Sequence, residues 1–329
     1  MNRDNYAFRL VTGAMRSGTT LLGELLHPRN GAPNHPDLVF SNDQTDFARE
    51  LSRRTRAIKC PDSKLEDLTC DLSLRKKDMA RLLEKRLWFF SSAKDMRSEI
   101  QASITKNILA CASGHSSFSH IGCKTTHLIN EISMLDSLFD DFKCIIVIRD
   151  PRDVVASNIT RMRDRGLHTA LMIISTMLSY EHFIKNNSHK IMTVKYEDIV
   201  LNTKPTIAMI LDWLGLEEKR YNWNYLDHVG SNSSYGASKG LEIVPEIGIN
   251  NRSISAFENI LSKDLQYFTI SLLSGYMDMF DYHYVALKRD EKADSYIRQE
   301  ITKQLLKEMA QNGVNDSLLV NKLQEKNLI

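Results

Sequence analysis

Residues 8–26 constrain the fold of this chain more than any other stretch. An apolar run, Phe8-Arg9-Leu10-Val11, meets Gly13-Ala14-Met15-Arg16-Ser17-Gly18-Thr19-Thr20, which opens into Leu21-Leu22-Gly23-Glu24-Leu25-Leu26. That order predicts a strand, a glycine-bearing turn and a helix N-terminus. In such a turn the backbone N–H groups face an anion, and the helix dipole favours the negative charge. The spacing nearly satisfies G-x-x-x-x-G-K-[ST], but Thr19 stands where the lysine belongs. That lysine is the group that reaches the β- and γ-phosphates of a nucleoside triphosphate. Here the cation comes earlier, at Arg16. The loop is suited to a nucleotide anion other than ATP.

Further along, short apolar runs alternate with helical spacing, which predicts a parallel sheet covered by helices. The strands are expected at 8–12, 119–124, 144–148 and 191–194. The run Cys144-Ile145-Ile146-Val147-Ile148 is continuous and largely β-branched, as suits a strand buried on both faces. Asp150 and Pro151 suit a helix start, with Val154, Val155, Ile159 and Met162 as its buried stripe. A helix from near Pro205 stops at Gly215, and another runs over 263–280. Pro28, Gly31, Pro33 and Pro36 mark an irregular stretch, and 230–256 reads as a long functional loop. The expected organisation is one α/β domain over 1–287, with a helical insertion at about 45–115, and a charged helical tail over 288–329. Tyr296, Ile297, Ile301, Leu305 and Met309 fall at helical spacing in that tail, which either packs on the domain or joins two copies.

Composition narrows the class. The 329 residues are 42% hydrophobic and 26% charged, and 43 basic side chains face 41 acidic ones. This balance gives no broad field for nucleic acid or an anionic membrane. No apolar stretch approaches the ~18 residues of a membrane span, and the first residues lack a signal-peptide core. The five cysteines are scattered and form neither C-x-x-C nor a zinc-spaced cluster. Reduced thiols in a cytoplasm are the expectation, with no metal site.

A second anion signal follows the strand at 144–148. Arg149 sits at its carboxyl end, where open α/β sheets bind ligands. Ser157 lies about two turns into the next helix, and Arg161 lies one turn beyond it. These three side chains are able to converge on a phosphate, with arginine supplying bidentate contacts. Taken alone, Arg149 reads equally as a surface partner of Asp150 or Asp153, and Arg161 as a solvated helix face.

Together these motifs resemble the sulfotransferases that use 3′-phosphoadenosine-5′-phosphosulfate (PAPS). Arg16-Ser17-Gly18-Thr19-Thr20 is similar to that family's 5′-phosphosulfate loop. Arg149 with Ser157 is similar to its 3′-phosphate site, and Lys195-Tyr196-Glu197-Asp198 to the segment whose tyrosine lies near the adenine. The resemblance spans residues 8 to about 215 and implies a P-loop-like sulfotransferase fold. It also implies a nucleotide held by Arg16, Ser17, Gly18, Thr19, Thr20, Arg149, Ser157, Arg161 and Tyr196.

Sulfuryl transfer resembles phosphoryl transfer with one less negative charge on the moving group, so fixed cations and loop N–H groups can carry the stabilisation. The resemblance gives Arg16 the charge that builds on the bridging oxygen, and Lys124 the transferred group. The acceptor needs a base. Gly122-Cys123-Lys124-Thr125-Thr126-His127-Leu128 resembles the Lys-Thr-His-Leu segment of cytosolic members and offers His127, with one extra threonine before it. An alternative alignment, to tyrosylprotein and glycan-type members, takes a carboxylate after His35-Pro36, which is Asp43 here. The expected activity is transfer from PAPS to a hydroxyl or amine of a glycan or small natural product. A P-loop small-molecule kinase and a catalytically inactive nucleotide-binding protein are the competing readings.

Overall fold

The computed structural model describes residues 6–28, 33–42, 118–126, 132–162, 166–186, 190–229, 248–284 and 317–326, with scattered positions between 101 and 129 and at 295 and 299. Five strands, β1 (Ala7–Thr12), β2 (Leu38–Asn42), β3 (His120–Lys124), β4 (Phe142–Ile148) and β5 (Ile191–Lys195), form one parallel sheet in the order β2-β3-β1-β4-β5. The helices are α1 (Thr19–Leu26), α2 (Ile132–Leu138), α3 (Pro151–Met162), α4 (Gly166–Asn186), α5 (Tyr196–Leu201), α6 (Thr203–Leu214), α7 (Phe257–Ile260), α8 (Lys263–Met279) and α9 (Ser317–Glu325). The fold is α/β, a parallel sheet flanked by helices with a phosphate-type loop after its central strand. Chain direction reverses across the sheet at β1, so the loops after β1 and β4 meet at the carboxyl edge, the crevice where such sheets bind ligands.

Alternation along β1 divides the core. Phe8 and Leu10 face a layer built by α2, α3, α4 and α8, and Phe8 stacks on Phe139 with ring centroids 4.3 Å apart. Val11 faces the opposite layer with Phe40, Ile145 and Val147, packed under α1, α5 and α6. Both faces of β4 are therefore apolar, which explains its uninterrupted Cys144–Ile148 run. Arg9 also points to this second side and is buried. Its guanidinium pairs with Asp141 at 2.8 Å and donates to the Leu214 carbonyl, satisfying the last turn of α6. Cys123 and Cys144 both lie opposite Leu10, one strand to either side, as buried free thiols. Burial pushes the Cys123 thiol up to about 12 and raises Cys144 as well.

Two elements differ from the sequence expectation. Strand β2 forms two residues after Pro36, inside the stretch read as irregular, because its edge position asks only for a short Leu-Val-Phe run. Helix α4, 21 residues long, packs against α3 and α8. The segment leading into β2 is fixed by side chains. The Asn34 amide donates to the carbonyls of Glu24 and Leu25 at the end of α1. Buried His35 accepts the Asp37 N–H at Nδ1 and meets the Glu217 carbonyl at Nε2, so its proton resides on Nε2. His35 is thus a neutral structural staple.

In the tail, α9 packs on α4 and contributes Leu319 and Leu323 to the larger core layer. Leu323 is fully buried. Leu323→Ala should lower unfolding free energy by about 2–4 kcal/mol, read from denaturant midpoints. No change would mean that α9 does not dock on α4. Among the described residues no helix is long and apolar enough to cross a membrane.

The amino edge of the sheet carries a cavity of about 300 Å³ lined in part by Tyr6, Ser119, His120 and Asp141. His120 is held at about 4 by burial and by the Arg9 charge, against the opposing pull of Asp141. The unfolded chain therefore binds a proton at this residue below about 6.5 that the folded chain refuses. Its contribution is fully present above pH 6.5 and is lost as pH falls toward 4. Asp153 and Glu197, whose carboxyls are raised by burial, act with the opposite sign. Comparing wild type with His120→Asn isolates the histidine: the variant should lose less thermal stability between pH 6.5 and 4. Parallel melting curves across that window would refute this.

Candidate active site

The loop after β1 is shaped by backbone geometry that only glycine adopts easily. Gly13 has φ 156° and Gly18, the N-cap of α1, has φ 102°. Arg16 stands between them at φ 71°, a left-handed conformation unusual for a branched side chain and of the kind stored at ligand-binding turns. Ser17 N–H closes the turn on the Ala14 carbonyl at 3.1 Å, and Leu22 N–H takes the Gly18 carbonyl at 3.1 Å. Helix α3 supports the loop from one side. The Asn158 amide donates to the Met15 carbonyl at 3.3 Å, and the Arg16 Nε donates to the Ser157 hydroxyl at 3.0 Å.

Arg149, just past β4, ties the two halves of the site together. One Nη donates to the Arg16 carbonyl at 3.0 Å and the other to the Ser253 carbonyl, while Asp153 lies 3.9 Å away. Its guanidinium lies over the Tyr196 ring, 4.4 Å from the centroid. The edge of that ring, at Cδ2, lies against Gly18, where an added Cβ would lie 2.3 Å from it. Tyr196 thus touches both the loop and Arg149.

The two anion motifs of the sequence are therefore joined. A single arginine side chain crosses from the loop at 16–18 to Ser157, and a second one, Arg149, reaches back to the loop. Two buried polar atoms here, Ser17 Oγ and Arg149 Nε, have no hydrogen-bond partner among the described residues. Such orphaned groups are costly unless a ligand or water meets them. They fit a site that completes itself on an anion.

A family model for sulfotransferases matches residues 10–220. The chain belongs to the sulfotransferase family. This sulfotransferase is similar to the sulfotransferase domain of the Synechococcus PCC 7002 olefin synthase, at 17% identity over 87% of this chain and 98% of that one, with a TM-score of 0.49. It is also similar to the sulfotransferase domain from the curacin biosynthetic pathway, at 16% identity over 82% and 98%, TM-score 0.48. The sulfotransferase STF9 from Mycobacterium avium matches at 15% identity over 84% and 78%, TM-score 0.44. No curated protein matches the chain.

Of the residues expected in the site of this sulfotransferase, Arg16, Ser17, Gly18, Arg149, Ser157 and Tyr196 come together. Thr19 and Thr20 open α1 beside them, with Thr19 buried and Thr20 half-buried. Lys124 is buried at the carboxyl end of β3, in register with Val11 of β1 and Asn42 of β2. Asp43 and His127 lie outside the described residues. Arg161 belongs to α3, and its side chain is likewise outside the description.

Three supporting residues were missed. Asn158 props the loop. Asp153, read from sequence as a surface partner of Arg149, is instead buried and accepts the backbone N–H groups of Ser255 and Phe257 at 2.9 and 3.0 Å. It docks residues 253–257 beside Arg149. Asp150 does not pair with Arg149; it holds Arg152 at 2.6 Å. Glu197 is the third. Its carboxylate accepts the Asp150 N–H at 3.1 Å and the Tyr282 hydroxyl at 2.9 Å, and burial raises its pKa against those bonds. Sequence signals existed for two of them: Asp153 falls four residues after Arg149 on a helix, and Glu197 lies inside the Lys195–Asp198 segment, though nothing local points to its partners.

Proposed function

We propose that this sulfotransferase moves the sulfuryl group of PAPS onto a hydroxyl or amine of a glycan or small-molecule natural product. The observation that carries the reading is the contact of Arg16 with Ser157, beside Arg149. It brings the loop after β1 against the middle of α3, which supports the two motifs serving one nucleotide. The loop N–H groups and Arg16 would hold the 5′-phosphosulfate, Arg149 and Ser157 the 3′-phosphate. Sulfur–oxygen cleavage leaves charge on the 5′-phosphate, and fixed cations stabilise that charge without reorganisation. Lys124 would meet the moving group from the end of β3. A base, His127 or Asp43, would take the acceptor's proton as the new oxygen–sulfur or nitrogen–sulfur bond forms.

Thr19 in the lysine position argues against ATP as donor. A cytoplasmic location is supported by the buried free thiols Cys123 and Cys144. Thermal shift separates the donor classes: adenosine 3′,5′-bisphosphate should raise the melting temperature where ATP with magnesium does not. Labelled sulfate transfer across an acceptor panel then tests the reaction. Stabilisation by ATP with magnesium and none by the bisphosphate would overturn the proposal in favour of a kinase.

A further inference from the structure

Arg149 lies one residue beyond the end of β4, where the sheet ladder no longer fixes the backbone. The amide that follows it is nonetheless pinned by a buried side chain: the Asp150 N–H donates to Glu197 at 3.1 Å. Glu197 is in turn held by the Tyr282 hydroxyl at 2.9 Å. The Tyr276 and Tyr282 rings are parallel, with centroids 6.4 Å apart, and Lys195 lies over Tyr282 at 5.1 Å from the ring centre. A buried carboxylate, itself braced by a tyrosine, therefore holds the peptide that follows Arg149.

Burying a carboxylate among aromatic rings is unfavourable, and burial indeed raises the Glu197 pKa. The Arg149 charge pulls the Glu197 pKa down without overcoming the rise that burial causes. An expense of this kind is explained when the group fixes a geometry that packing alone leaves loose.

We infer that Glu197, braced by Tyr282, is a positioning residue that aims Arg149 at the 3′-phosphate of the nucleotide. This rests on the nucleotide reading given above. Without the carboxylate, the Asp150 amide loses its partner and the peptide after Arg149 is free to rotate, which swings the guanidinium at the far end of a long side chain. The loop at 16–20 loses only the Arg149 bond to the Arg16 carbonyl, while its own N–H groups, which would hold the 5′-phosphate, stay in place. The consequence is selective: the energetic gain from a 3′-phosphate falls while binding of the rest of the nucleotide stays.

Calorimetric titration with adenosine 3′,5′-bisphosphate and with adenosine 5′-phosphate tests this, with melting temperatures recorded alongside. Glu197→Ala should weaken the bisphosphate by about tenfold, the size of one lost charged hydrogen bond, and the monophosphate by less than about twofold. Glu197→Gln, which keeps an acceptor for the Asp150 N–H, should restore most of the difference. Tyr282→Phe removes one hydroxyl and should weaken the bisphosphate about threefold, so it carries the test even where Glu197→Ala fails to fold. Equal loss for both nucleotides, or no loss for either, overturns the positioning role. A wild-type protein that binds the two nucleotides equally overturns the nucleotide reading itself, and the inference with it.

Discussion

Arg16→Ala should depress sulfate transfer by about 10²–10³-fold, the effect of removing one donor from a preorganised charge-stabilising site. The melting temperature should hold. The side chain is half-buried, and its bond to α3 is to the Ser157 hydroxyl, a neutral partner that truncation does not leave charged. Relief of the φ 71° backbone is not at stake, because alanine carries the same Cβ. The conservative change Arg16→Lys separates charge from geometry: a lysine retains the cation but lacks the fork that bridges loop and Ser157. It should recover part of the rate and less of the affinity for adenosine 3′,5′-bisphosphate. The measurement is single-turnover transfer of labelled sulfate. An Arg16→Ala protein as active as wild type would remove Arg16 from the chemistry.

Gly18→Ala should damage both fold and site. The added Cβ would meet the Tyr196 ring at 2.3 Å, on a residue whose φ of 102° already disfavours any side chain. Strain of about 1–3 kcal/mol from the backbone and about 1–3 kcal/mol from overpacking add to a loss of roughly 2–6 kcal/mol. The ring also carries the Arg149 guanidinium over its face, 4.4 Å from the centroid. Displacing it moves the guanidinium, so nucleotide affinity should fall with stability. Denaturant midpoints and a bisphosphate titration on the same preparation check both. A loss below about 0.5 kcal/mol would mean that the ring does not rest on Gly18.

Much of the scaffold was legible before any coordinates. Strand β4 announced itself because burial on both faces forces an unbroken apolar run, and β1 because a glycine turn and a helix start follow it. Strand β2 was missed because an edge strand needs little apolar length and Pro36 supplied a stronger turn signal. Helix α4 was missed although Ala170, Leu171, Ile174 and Leu178 are spaced for it.

The site divides in the same way. Its loop and its arginine were readable, since phosphate-binding turns are local in sequence. The contacts that make them one site were not. Arg16 meets Ser157 across 141 positions, and Asp153 meets Phe257 across 104, so neither leaves a periodic trace. Tyr196, expected beside a nucleotide base, touches Gly18 with its ring edge and carries Arg149 over its ring, an arrangement set by a crossing of three elements.

The stretch recognised as a sulfotransferase stops at residue 220, yet the nucleotide half leans on what comes after it. The Ser253 carbonyl accepts a hydrogen bond from Arg149, Tyr282 braces Glu197, and Leu323 is buried in the core layer that α4 helps build. Trimming the polypeptide back to its recognisable portion would bare an oily flank and unseat the very guanidinium that portion is known by. The described residues beyond 220 behave as the keystone of the arch rather than an annex to it.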